Sequence, residues 1–399
     1  MKENSIRDHI LSIVWVYFLL FPTGTTFNIS IPVILLLLFD AKSSANRITI
    51  PMLVLVIFTL MVNILQPYMD FKPIVRLITI VVILLTFASV RGNRILFSYI
   101  LFATVFIFLS QISYLYNISF LTSFYDNFYS VSTKGIEAWG ISERSLSIEG
   151  ISSGNTRLGG IYYNPNNCAS YISVLFAIGI CELQRINAKK IWFYAFAILV
   201  LLSFIVTGSR TSIIIFVAIV LYYFHTQGRS IKKYLPLAIV VVAFIFIIQD
   251  FGELRFLQVG EGMDNSFGVK MKYFTKYLSE ADNPIHLLFG AGDQLVTVVR
   301  YNSPLPGTDF DLGDIFIVFG FFFYIVYISF YFKLYKKLTP IHRVILIVLL
   351  WSFSNSLLCS YRMCPVWFMA LGVCYKQSLQ IRALEWQQRI SQKQIQQVQ

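Results

Sequence analysis

The sequence predicts an all-α fold, a polytopic bundle of about twelve transmembrane helices that fills residues 1–399 as one integral membrane domain. Three observations carry that expectation. The chain is 57% hydrophobic and 13% charged, where soluble domains carry roughly a quarter charged residues. Its mean hydropathy is +0.68. Apolar runs recur along its whole length, most of them near the roughly 17–25 residues that a helix needs to cross about 30 Å of hydrocarbon.

Hydropathy read against Pro, Gly and charge places the helices near residues 10–21, 27–39, 49–66, 73–90, 95–115, 161–183, 190–207, 211–224, 233–250, 311–332, 341–358 and 364–378. The first two and the eighth are short for a span, so merging or re-entry would lower the count to ten or eleven. The opening MKENSIRDHI runs into the first apolar stretch with no small-residue cleavage site, which reads as an uncleaved first helix. Two long loops, about 116–160 and 251–310, interrupt the series. The glutamine-rich tail, about 379–399, reads as an amphipathic helix on the inner surface or as a solvated segment.

Positive residues near helix ends are retained in the cytoplasm. With the N-terminus inside, twenty of the 32 Lys and Arg fall on the inner loops and ends, and eight of the other twelve lie in the two long loops. Both termini are therefore expected inside and both long loops outside.

Several activities find no support. The net charge of +12 is spread between apolar spans and makes no continuous patch for nucleic acid. No phosphate-binding glycine loop and no His/Cys/Asp metal spacing occurs. The cysteines, Cys168, Cys181, Cys359, Cys364 and Cys374, sit in or beside apolar stretches and read as small hydrophobes, although Cys359 and Cys364 could meet across an outer turn. The aromatic load, Phe 37 and Tyr 23, reads first as lipid-facing bulk and interfacial belts.

With this orientation several helices start at the outer face beside a cation. Lys72-Pro73 is followed by Arg76. Arg157-Leu-Gly-Gly precedes Asn164-Pro165-Asn166-Asn167. Gly208-Ser209-Arg210-Thr211 opens the eighth helix, and Arg362 precedes Pro365. Proline suits a first helical turn, and Asn or Ser before it can cap free amides. Helix N-termini and guanidinium forks gathered at one depth would bind an anion, a diphosphate above all. Any one of these arginines could equally anchor at the interface, but Arg210, on a tight turn between two helices, is costly near a membrane and is the sharpest candidate.

Three carboxylates, Asp309, Asp311 and Asp314, stand at the outer start of the tenth helix, shortly after Arg300. Asp311 and Asp314 are spaced i, i+3 on one face, and Asp309 lies where a cap would be. The helix dipole alone favours acids there. A carboxylate beside a cationic diphosphate site can also take the proton of an attacking sugar hydroxyl.

The ordered segments Arg157-Leu-Gly-Gly-Ile-Tyr-Tyr-Asn-Pro-Asn-Asn, Thr-Gly-Ser-Arg210-Thr, Asn283-Pro-Ile-His-Leu-Leu-Phe-Gly-Ala-Gly and Asp309-Phe-Asp-Leu-Gly-Asp, continuing to Gly320, resemble the O-antigen polymerases, within the wider family of O-antigen polymerases and ligases. The resemblance covers residues 157 to about 330. It implies a transferase of the bacterial inner membrane, without metal or cofactor, that moves a glycan from undecaprenyl diphosphate onto another lipid-linked repeat unit. It also implies essential arginines in the outer loops, Arg157 and Arg210 by motif position and Arg300 less securely, and leaves room for a chain-length regulator and a flippase as partners. The ligases carry a His-Asn-Ser segment where this chain has Tyr301-Asn302-Ser303, which favours polymerase; His286 keeps a ligase open. A transporter of the lipid-linked unit is the reading from another class, and it expects repeated halves that this sequence lacks.

Overall fold

The computed structural model describes residues 6–21, 94–132, 158–162, 165–228, 284–290, 311–353 and 364–398, with Ile57, Phe274, Thr275 and Leu278. Regular structure among them is entirely helical. In chain order the elements are α1 (Ile6–Leu20), α2 (Phe97–Leu115), α3 (Ser119–Ser132), α4 (Pro165–Arg185), α5 (Lys190–Thr207), α6 (Arg210–Thr226), α7 (Pro284–Phe289), α8 (Asp311–Lys337), α9 (Val344–Ile347) and α10 (Cys364–Val398). Two 3₁₀ stretches, Ile341–Arg343 and Val348–Phe353, flank α9. Among the described residues three helices, α2, α4 and α5, are long and apolar enough to cross a membrane.

Helix α4 is the axis. It is buried all round from Cys168 to Leu183, and α2, α5, α6, α9 and α10 pack around it. Its Phe176 stacks on Phe216 of α6 at 4.9 Å, and Phe196 of α5 meets Phe97 of α2 edge-on at 5.3 Å. In lipid such contacts hold helices by close packing and interhelical hydrogen bonds rather than by water release. The buried tryptophans follow that rule. Trp15 donates to the Val366 carbonyl at 3.0 Å, Trp351 to Ser173 Oγ at 2.9 Å and Trp367 to the Ile345 carbonyl at 3.2 Å, so each ring fills the core with its N–H satisfied.

The bundle has two chemically distinct ends. At one, Arg94 donates to Asp8 at 2.8 Å, joining the starts of α1 and α2, and Arg185 forks onto Glu182 at the end of α4. From Glu182 a chain of polar contacts runs through Gln377 of α10, at 3.3 Å, to His342 Nε2, at 2.7 Å. His342 Nδ1 meets Thr339 Oγ1 at 2.7 Å and Ser378 Oγ at 2.9 Å. Because Gln377 offers its oxygen to the ring and its N–H₂ to Glu182, the network assigns the proton to Nε2. Arg382 closes the same end by donating to the carbonyls of Lys336 and Leu338 at the C-terminus of α8. Basic residues gather here: Arg7, Arg94, Arg185, Lys189, Lys190, Lys336, Lys337, Arg343 and Arg382. The other end holds the starts of α4 and α6.

Several elements differ from the sequence expectation. The helix expected over 161–183 starts at Pro165, because 158–162 forms a separate turn. The loop 116–160 contains a helix, α3. The stretch expected as one helix over 341–358 alternates 3₁₀ and α turns as far as Phe353. The last span and the tail are one continuous 35-residue helix. The expected helices near 27–39, 49–66, 73–90 and 233–250 lie outside the described residues, apart from Ile57. Helix α8 bends where a straight helix was expected, at Gly320 (φ 79, ψ 178).

Candidate functional site

The end away from the basic cluster brings together sequence segments that are far apart. Residues 158–162 turn back on themselves, with the Tyr162 amide donating to Gly159 at 3.0 Å. Four neighbours hold this turn. The Leu158 amide donates to the Val206 carbonyl at 3.1 Å, at the C-terminal end of α5. Gln111 Nε2, from α2, lies 3.4 Å from the Leu158 carbonyl oxygen and 3.3 Å from that of Ser203. Ser110 Oγ accepts from the Ile161 amide at 3.1 Å, and the Tyr162 hydroxyl donates to the Leu19 carbonyl of α1 at 2.7 Å.

The turn is therefore a knot in the core rather than a surface loop. Leu158, Ile161 and Tyr162 are buried, and Tyr162 stacks on Tyr171 of α4 at 4.5 Å. Gly160 makes the crossing possible. Its φ of 61 lies in the left-handed region, and a Cβ there would collide with Ser110 Oγ. Ser203 completes the arrangement by donating its hydroxyl to Gln111 Oε1. In a membrane each of these polar groups needs a partner within the protein, so the network fixes one geometry for the turn.

The consequence concerns two arginines. Leu158 follows Arg157 in the chain, and Val206 stands four residues before Arg210, whose backbone opens α6 directly after α5. Ser209 occupies the N-cap position with φ −93 and ψ 114, but its side chain makes no capping bond to the helix amides, contrary to the expected role of a serine there. Its carbonyl instead receives the Ser212 hydroxyl at 2.5 Å.

A second pairing involves the other two motifs. Short helix α7, from the 283–292 segment, packs on α8, with Phe289 and Phe322 at 5.4 Å. Contact is closest at the bend. A Cβ on Gly320 would collide with the Gly290 amide nitrogen and come within 2.5 Å of that of Phe289 and 2.6 Å of the Leu288 carbonyl carbon. Asp311 and Asp314 occupy the first and fourth positions of α8. The 348–353 stretch touches α4, α6 and α8 and so links the two pairings.

Of the residues singled out in the sequence, Asn166 is the second residue of α4 and partly buried, and Arg210, Asp311 and Asp314 are placed by their backbones at helix starts. Arg76, Arg157, Asn164, Arg300, Asp309 and Arg362 lie outside the described residues. The residues that the sequence reading missed are Ser110, Gln111 and Ser203. A signal was present: Gln111 is an amide inside the apolar run of α2, where an unpartnered polar group is expensive. No protein-family model and no curated protein matches this chain.

Proposed function

We propose that this chain is a membrane-embedded polymerase that joins undecaprenyl-diphosphate-linked repeat units into O-antigen or a related surface polysaccharide at the periplasmic face of a bacterial inner membrane. The observation that supports it most is the bond between the Leu158 amide and the Val206 carbonyl at 3.1 Å. It ties the residue after Arg157 to the end of the helix that precedes Arg210, on the side opposite the basic cluster. In this reading the guanidiniums of Arg157 and Arg210 would clamp a lipid diphosphate through its oxygens and stabilise it as the leaving group. Asp309, Asp311 or Asp314 would receive the proton of the incoming sugar hydroxyl. The basic end would then face the cytoplasm.

The test is the lipopolysaccharide ladder of a deletion strain complemented with Arg157→Ala and Arg210→Ala. Both proteins should insert at normal levels and leave single repeat units on the lipid A core. Normal long chains in both variants would end the proposal. Loss of all capping with accumulation of long lipid-linked polymer would identify a ligase instead.

A further inference from the structure

A cleft of ≈ 590 Å³ opens at the basic end, between the last turns of α4 and α6 and the projecting part of α10. Gln184 and Thr226 form one wall, and Arg382, Glu385, Trp386 and Arg389 form the other. Two features of it call for a ligand. Gln184 Oε1 is buried without a hydrogen-bond partner among the described residues, an acceptor waiting for a donor. The opposite wall carries two guanidiniums against one carboxylate, one net positive charge.

Its depth is also informative. Gln184 and Thr226 lie where α4 and α6 end. From Arg382 to Arg389 the helix rises about 10 Å, comparable to the roughly 5–8 Å headgroup layer of one leaflet. Trp386 is 66% exposed at this level, the position where an indole's apolar body and polar N–H are both accommodated.

We propose that the cleft binds the headgroup of an anionic phospholipid that also carries a free hydroxyl, of the phosphatidylglycerol class. The phosphate lies against Arg389 and the outer edge of Arg382, and matches the net charge of the wall. A glycerol hydroxyl donates to Gln184 Oε1. An ethanolamine headgroup supplies a donor too but has no net charge to match, and free phosphate has no acyl chains to hold it between the helix ends.

The experiment uses the full-length protein purified in detergent, stripped of lipid and then offered an equimolar mixture of phosphatidylglycerol and phosphatidylethanolamine with matched chains. Retained lipid is counted by native mass spectrometry. We expect phosphatidylglycerol to be retained over phosphatidylethanolamine by roughly fivefold or more. Arg389→Gln should abolish that preference, and Gln184→Leu should lower retention of both lipids by a similar factor, neither variant lowering the melting temperature. Arg389 is exposed and serves as the variant least able to disturb folding. Equal retention of the two lipids, an undiminished preference in Arg389→Gln, or displacement of the lipid by millimolar inorganic phosphate would overturn the proposal.

Discussion

Gln111 and Leu158, 47 residues apart in the chain, meet through Nε2 and the carbonyl oxygen at 3.4 Å inside the bundle. The same amide nitrogen also faces the Ser203 carbonyl, and its oxygen takes the Ser203 hydroxyl, so one side chain ties α2, α5 and the buried turn together. Replacing it with leucine keeps the volume and removes every one of these bonds. Gln111→Leu should cost about 1–3 kcal/mol, the penalty for leaving buried partners unsatisfied. Thermal unfolding in detergent checks the cost, and faster hydrogen exchange at the Leu158 amide checks that it falls on this turn.

Gly320 tests the second pairing. Alanine there would adopt a strained φ and press into the backbone of α7, which cannot move aside as a flexible side chain would. Gly320→Ala should lose at least about 2–3 kcal/mol, while Ile325→Ala, on the exposed face of the same helix, should change stability by less than about 0.5 kcal/mol. Melting temperatures of the two purified variants give the comparison, and equal values would mean that α7 does not seat against the bend.

The ion pair at the basic end should behave as a coupled unit. Asp8 and Arg94 side chains are 7% and 11% exposed, so either partner alone would be a charge with little water. Asp8→Asn and Arg94→Gln should each cost about 3–5 kcal/mol, and the double variant should cost clearly less than the sum. A coupling of about 1–3 kcal/mol in the double-mutant cycle is the expected result.

Sidedness can be read directly. Ser119, after α2, and Lys189, between α4 and α5, are both exposed and lie at opposite ends of the bundle. The described cysteine side chains, Cys168, Cys181 and Cys374, are buried and should stay silent to a polar maleimide. In a background with Cys359 and Cys364 replaced by serine, Ser119→Cys should label in intact cells after outer-membrane permeation, and Lys189→Cys only once the inner membrane is opened. Labelling of both under the first condition would contradict the proposed orientation.

The spans were legible where a single property decided them. Over α2, α4 and α5 the apolar run has the length of a crossing, and expected bounds fall within a few residues of the observed ones, with Pro165 marking where α4 starts. Hydropathy is blind to backbone angles, so it joined residues across the bend at Gly320. It averages over single positions, so Gln111 vanished into its apolar neighbours. Helix α3 was missed because its aromatic and polar residues are mixed, as in SFLTSFYDNFYSVS, and never form a long apolar window. For the candidate site, motif order pointed to the segments around Arg157, Arg210 and Asp311. The pairing of the first with the second depends on bonds made across more than forty residues, and no local pattern encodes them.

Helix α10 runs without interruption from the level of Trp15, whose indole holds the Val366 carbonyl at 3.0 Å, past Arg382 to its last turns. Thirty-five residues at about 1.5 Å each make a rod of roughly 52 Å, longer than the hydrocarbon it would traverse. A stiff rod with no hinge acts as a lever. A protein that grips its glutamine-rich last turns and tilts them would also move Val366 against Trp15 of the first helix, so a pull on one face of the bilayer would be felt on the other.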